Sequence, residues 1–148
     1  MKPETTRKRL LLLADFLEKL PPEKAAHFNM RTWFELGREL DNGELFEGTF
    51  EQLCRKKKLG DCGTSACALG WGTQVPELNK AGLTIKAIYE DADEVIDKVF
   101  GDGADLDLAD GEFSHNELFH DTKIKTPKEW AARCRAWVAK NLPLAIPK

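Results

Sequence analysis

Apolar positions recur at intervals of three and four along most of the chain, the spacing of one buried helix face. Leu10, Leu13, Phe16, Leu17 and Leu20 form the first such stripe. Thr5 or Thr6 is placed to cap it, and Pro21-Pro22 must end it, because proline lacks a donor and disfavours a helical residue before it. Phe28-Asn29-Met30-Arg31-Thr32-Trp33 has large apolar residues without a sustained period, which predicts irregular chain before a short helix near Trp33–Leu40. Asp41-Asn42-Gly43 is a turn signal, and Thr49-x-x-Gln52 is a capping box for a helix through Cys54 into Arg55–Lys58.

Gly60-Asp61-Cys62-Gly63-Thr64 then leads into a short apolar helix over Ser65–Trp71, with Cys62 and Cys67 at its start and Pro76 beyond its end. Thr84 opens the cleanest stripe of the chain: Ile85, Ile88, Tyr89, Ala92, Val95, Ile96, Val99 and Phe100, with Asp91, Asp93, Glu94 and Asp97 mostly opposite. An acidic loop follows over 101–113. Ser114-x-x-Glu117 is a capping box before Leu118-Phe119. Thr126-Pro127-Lys128-Glu129 combines a cap, a first-turn proline and a reciprocal glutamate for a last helix that buries Trp130, Cys134, Trp137 and Val138. No alternating run of strand length stands out. The expected fold is therefore all-α: one irregular bundle of about five to seven helices over 1–148, with no internal repeat and no low-complexity linker.

The run Cys62-Gly63-Thr64-Ser65-Ala66-Cys67-Ala68-Leu69-Gly70-Trp71, followed by Pro76-Glu77-Leu78 and Gly82-Leu83, resembles the CGTxxCxxGW signature of a family of small bacteriophage and bacterial proteins. Phe28-Asn29-Met30 with Trp33 upstream, and Val99-Phe100-Gly101, Leu118-Phe119, Thr126-Pro127 and Arg133 downstream, extend the likeness over about Phe28 to Val138. The resemblance implies a phage or bacterial origin and a cytosolic setting. It carries over no catalytic residue. The chain departs from the pattern between Phe100 and Leu118, where the link is longer and more acidic.

The chain has 148 residues, 42% hydrophobic and 32% charged, enough for one buried core and too apolar for wholesale disorder. The longest apolar run, Leu10–Ala14, falls far short of the roughly 20 residues of a membrane span. Arg7-Lys8-Arg9 before the leucines imitates a secretory signal, but Asp15 and Glu18 interrupt it, so the expected location is the cytoplasm, a host's cytosol if phage-encoded.

The net charge of −3 hides a strong asymmetry. Residues 90–121 hold one lysine against 12 carboxylates, whereas 122–148 hold seven basic residues against one glutamate. Such a middle repels a phosphate backbone, so nucleic acid is an unfavoured partner, and the segment reads as a contact surface for a basic protein or, less directly, as a nucleic-acid mimic. Asp105, Asp107, Asp110 and Glu112 are its candidate binding residues. An EF-hand register anchored on Gly111 fails, because Leu106 and Leu108 would fall on oxygen-ligand positions. Part of the field is expected to be neutralised within the chain by Lys123, Lys125, Lys128, Arg133 and Arg135.

Cys54, Cys62, Cys67 and Cys134 lack the paired spacing of a zinc site, so no metal and no cofactor are expected, and buried apolar thiols account for them. Cys62 carries the one sharp catalytic alternative: a thiol at a helix start is acidified by free N–H groups, as in papain-like and NlpC-type cysteine hydrolases. His115 or His120 would then be the base, with Asp121 as orienter. The bland reading makes Cys62, Gly63, Thr64, Cys67, Gly70 and Trp71 a packing motif. It leads, because no strand is available to carry the histidine. Trp33, Trp71, Trp130 and Trp137 are read mainly as core. The leading expectation is a small helical protein acting by contact with another protein; the sequence names neither the partner nor the oligomeric state.

Overall fold

The computed structural model describes residues 2–26, 28, 30, 34–36, 64–102 and 115–142. Among these the chain is all-α in class, with seven helical segments packed around one hydrophobic core. They are α1 (Pro3–Glu18), α2 (Pro22–Ala25), α3 (Ala68–Gly72), α4 (Pro76–Lys80), α5 (Ile85–Phe100), the 3-10 turn η1 (His115–Phe119) and α6 (Pro127–Asn141). Two strands of three residues, β1 (Phe34–Leu36) and β2 (Thr64–Ala66), pair antiparallel with Glu35 opposite Ser65.

Helix α1 starts earlier than its threonines suggest. Pro3 takes the first turn, where its missing N–H is no loss, and Thr6 lies buried inside the helix instead of capping it. The stripe Leu10, Leu13, Ala14 and Leu17 is fully buried. The helix ends at Lys19 ahead of the two prolines, and Pro22 opens α2.

Two expected helices are corrected. Within Trp33–Leu40 the described residues are strand β1, and Ser65–Trp71 begins as strand β2 before turning helical at Ala68. Phe34-Glu35-Leu36 has the apolar-polar-apolar alternation of a half-buried strand, but its partner lies some thirty positions away, beyond the reach of a local periodicity. Cys67, extended at φ −78° and ψ −178°, is the residue before α3.

Helix α5 is broken where the stripe suggests continuity. Asp91 is non-helical (φ −164°, ψ 97°), and its Oδ1 accepts the Glu94 N–H at 3.1 Å, so it caps a second helical run. Thr84 caps the first run by accepting from Ala87 N at 3.1 Å. Gly101, at φ 90°, stops the helix in a conformation that favours glycine, and Arg9 Nη1 donates to the nearby Val99 carbonyl at 2.7 Å.

Helix α6 is capped as the sequence predicts: Thr126 Oγ1 accepts the Glu129 N–H at 3.1 Å, while Glu129 Oε2 reaches the Lys125 N–H at 3.3 Å. It forms the main helix pair of the core with α1. Cys134 Sγ–H points to the Leu10 carbonyl at 3.5 Å, and Arg135 joins Asp15 and Glu18 at 2.6 and 2.5 Å. Helix α3 approaches α1 closely at Gly72, where a Cβ would stand 2.9 Å from Leu83 Cδ2 and 3.3 Å from Leu13 Cδ1.

Candidate functional site

From Cys67 to Trp71 the motif segment is core. Cys67, Ala68, Leu69 and Gly70 are buried, Trp71 is 3% exposed, and the Gly70 carbonyl accepts the Thr73 hydroxyl at 2.8 Å. Backbone groups of Gly70, Leu69 and Cys67 favour the Cys67 thiolate, but burial outweighs them and pushes the thiol up to about 11. Burial likewise pushes Cys134 up to about 12 against the opposing charge of Arg135. Neither thiol is therefore a nucleophile at neutral pH. Cys62 and Gly63 lie outside the described residues, as do Cys54 and Trp33; of Thr64 only the backbone in β2 is described.

The two histidines offered as bases stand at opposite ends of η1 and in opposite environments. His115 is fully buried, edge-on to the Trp137 ring at 5.8 Å between centroids, and neither ring nitrogen has a hydrogen-bond partner among the described residues. His120 is exposed and sets Nε2 3.0 Å from Asp93 Oδ1, across the gap to α5. Asp121, the proposed orienter, is occupied elsewhere: it accepts the Lys123 N–H at 3.0 Å and pairs with Arg133 at 3.0 Å. Base and orienter are thus adjacent in sequence but do not pair: His120 takes Asp93 of α5 and Asp121 takes Arg133 of α6.

The charged surface lies on α5. Glu90, Asp91, Asp93, Glu94 and Asp97 are exposed there, and Asp102 follows past the helix end. The Asp97 carboxyl is raised above its usual range, first by partial desolvation and then by the charges of Asp102, Asp93 and Asp91. Lys98, the single lysine or arginine of residues 90–121, lays its chain over Gly82, where a Cβ would stand 3.0 Å from Lys98 Nζ. Of the basic residues expected to compensate the segment, Arg133 takes Asp121, but Arg135 turns away to α1 and its pair Asp15 and Glu18. Asp105, Asp107, Asp110 and Glu112 lie outside the described residues.

The remaining features are structural. Trp71, Trp130 and Trp137 are all buried, as expected of core residues. A shallow groove of about 480 Å³, lined by Phe16, Leu20, Pro21, Lys19 and Lys24 among others, marks the seam where the chain leaves α1 for α2. Among the described residues no three His, Cys, Asp or Glu side chains are placed to hold a metal ion, and no helix is long and apolar enough to cross a membrane. Comparison with protein-family models, curated proteins and solved structures finds no match to the chain.

Sequence reasoning missed Asp93 as the partner of His120 and Asp91 as a cap. The second had a visible signal, since Asp91-x-x-Glu94 is itself a capping pattern within the apolar stripe.

Proposed function

We propose that the protein works by contact with a basic protein partner, using the acidic face of α5 and the acidic segment that follows it. The observation that carries this reading is the gathering of Glu90, Asp91, Asp93, Glu94 and Asp97 on the exposed face of α5 with Asp102 just past its end; partial desolvation first, and then the charges of Asp102, Asp93 and Asp91, hold the Asp97 carboxyl up. Like charges gathered on an exposed face cost stability, and a cationic partner relieves that cost on binding. The resemblance to small phage and bacterial proteins supports a cytoplasmic accessory factor.

The test is affinity capture from a bacterial lysate with wild-type protein and with a variant carrying Glu90→Gln, Asp93→Asn and Asp97→Asn. The reading predicts a protein held by the wild type, released by salt and lost with the variant. Identical retained sets would overturn it. A captured partner that itself binds nucleic acid would assign the face as a mimic of a phosphate backbone.

A further inference from the structure

His115 is the one fully buried side chain among the described residues that can gain a charge near neutral pH and has neither of its polar atoms satisfied. It opens η1, the short turn that links the acidic segment to α6. The next residues of that turn are its anchors. Phe119 packs against Phe100 of α5 at 5.0 Å and against Trp130 of α6 at 5.5 Å between ring centroids. Leu118 is buried, and its carbonyl accepts the Trp130 indole N–H at 2.7 Å. The turn is thus seated by two apolar side chains, one hydrogen bond and the neutral imidazole.

We propose that His115 is an acid-sensitive latch: proton uptake by its imidazole ejects η1 from its seat between α5 and α6, uncovering Phe100, Trp130 and Trp137 while the rest of the bundle stays folded. A cationic ring cannot remain in this site without partners for its two N–H groups. Among the described residues neither ring nitrogen stands within hydrogen-bond geometry of a partner. From the end of α5 the Gly101 backbone and the Asp102 carboxylate favour a proton on the ring, but burial outweighs both, and His115 is held below the usual histidine value. From α6 the facing group is the Trp137 ring, which carries no charge. From α1 the cation at this end is Arg9, spent on the Val99 carbonyl. At the far end of η1, His120 is exposed and set 3.0 Å from Asp93.

The sign follows from linkage. A base whose folded value is depressed leaves stability intact above its unfolded value, ~6.5 for histidine, and removes it as pH falls through that value toward the folded one. The first structure to respond is the least anchored one, and η1 holds far less buried surface than the α1–α6 pair.

The test follows exchange of the Trp130 indole N–H by NMR from about pH 7.5 to about pH 5, corrected for intrinsic exchange, with helix content monitored on the same samples. Wild-type protection is expected to fall below ~6.5 with a slope approaching about tenfold per pH unit, the signature of one proton, at constant helix content. His115→Phe should abolish the step, and His120→Gln should retain it. Should His115→Phe fail to fold, His115→Asn, polar but unable to titrate in this range, supplies the comparison. Protection independent of pH in the wild type, or the same step in a folded His115 variant, would overturn the latch. Loss of the step in folded His120→Gln would overturn it as well, since the step would then not belong to His115.

Discussion

Trp130 donates its indole N–H to the carbonyl of Leu118 at 2.7 Å, wholly inside the core, and this bond ties α6 to the turn before it. Replacing Trp130 with Phe keeps a ring in place but leaves that carbonyl buried and unpaired and opens space. The expected loss is about 2–4 kcal/mol, from an unsatisfied acceptor and a partial cavity together. Urea unfolding monitored by circular dichroism measures it.

Gly72→Ala tests the contact of α3 with α1. Its new Cβ would stand 2.9 Å from Leu83 Cδ2 and 3.3 Å from Leu13 Cδ1. Overpacking of this kind costs about 1–3 kcal/mol, against a gain of well under 1 kcal/mol in helix propensity. A melting temperature at or above wild type would show that the leucines yield freely.

Asp91→Ala removes the cap of the second run of α5 and is expected to cost about 1 kcal/mol. Asp91→Asn, which can still accept from Glu94 N–H, should recover most of it. Equal losses in the two variants would mean that the charge of Asp91, and not its hydrogen bond, sets its contribution.

Asp97 provides the pH test of the acidic face. A carboxyl raised in the folded state penalises folding once ionised, and the penalty vanishes as pH falls through the folded and then the unfolded value. Asp97→Asn should therefore raise the melting temperature at neutral pH, with a gain that shrinks as pH falls toward about 4, is gone below it, and diminishes on adding salt. A lowered melting temperature at neutral pH would show that the carboxylate is stabilised where it stands.

The thiols give a chemical test. With burial holding Cys67 near 11 and Cys134 near 12, neither should react with a thiol reagent at neutral pH until the protein unfolds. Site-resolved mass spectrometry after brief alkylation checks both residues. Rapid labelling of either in the native state would contradict the packing described for α3 or α6.

Helices α1, α5 and α6 were legible because each repeats an apolar stripe over several turns, and Thr84 and Thr126 announce two of the starts. What the pattern could not carry is pairing across distance. Phe34–Leu36 becomes a strand through Thr64–Ala66, and His120 finds Asp93 27 residues earlier. His115 was legible as a histidine but not as a buried one, since a polar residue adds nothing to an apolar stripe. The acidic character of 90–121 was plain from composition, yet the destination of Arg135 was set by the packing of α6 on α1. The expectations for Cys62, Gly63, Asp105, Asp107, Asp110 and Glu112 fall outside the described residues.

The central claim, that the face of α5 steers a basic partner, is tested most directly by the association rate constant of the captured partner across a salt series. Wild-type association should slow steeply as ionic strength rises, and the variant with Glu90→Gln, Asp93→Asn and Asp97→Asn should associate more slowly at low salt with a much shallower dependence. Superimposable salt dependences for the two proteins would contradict it.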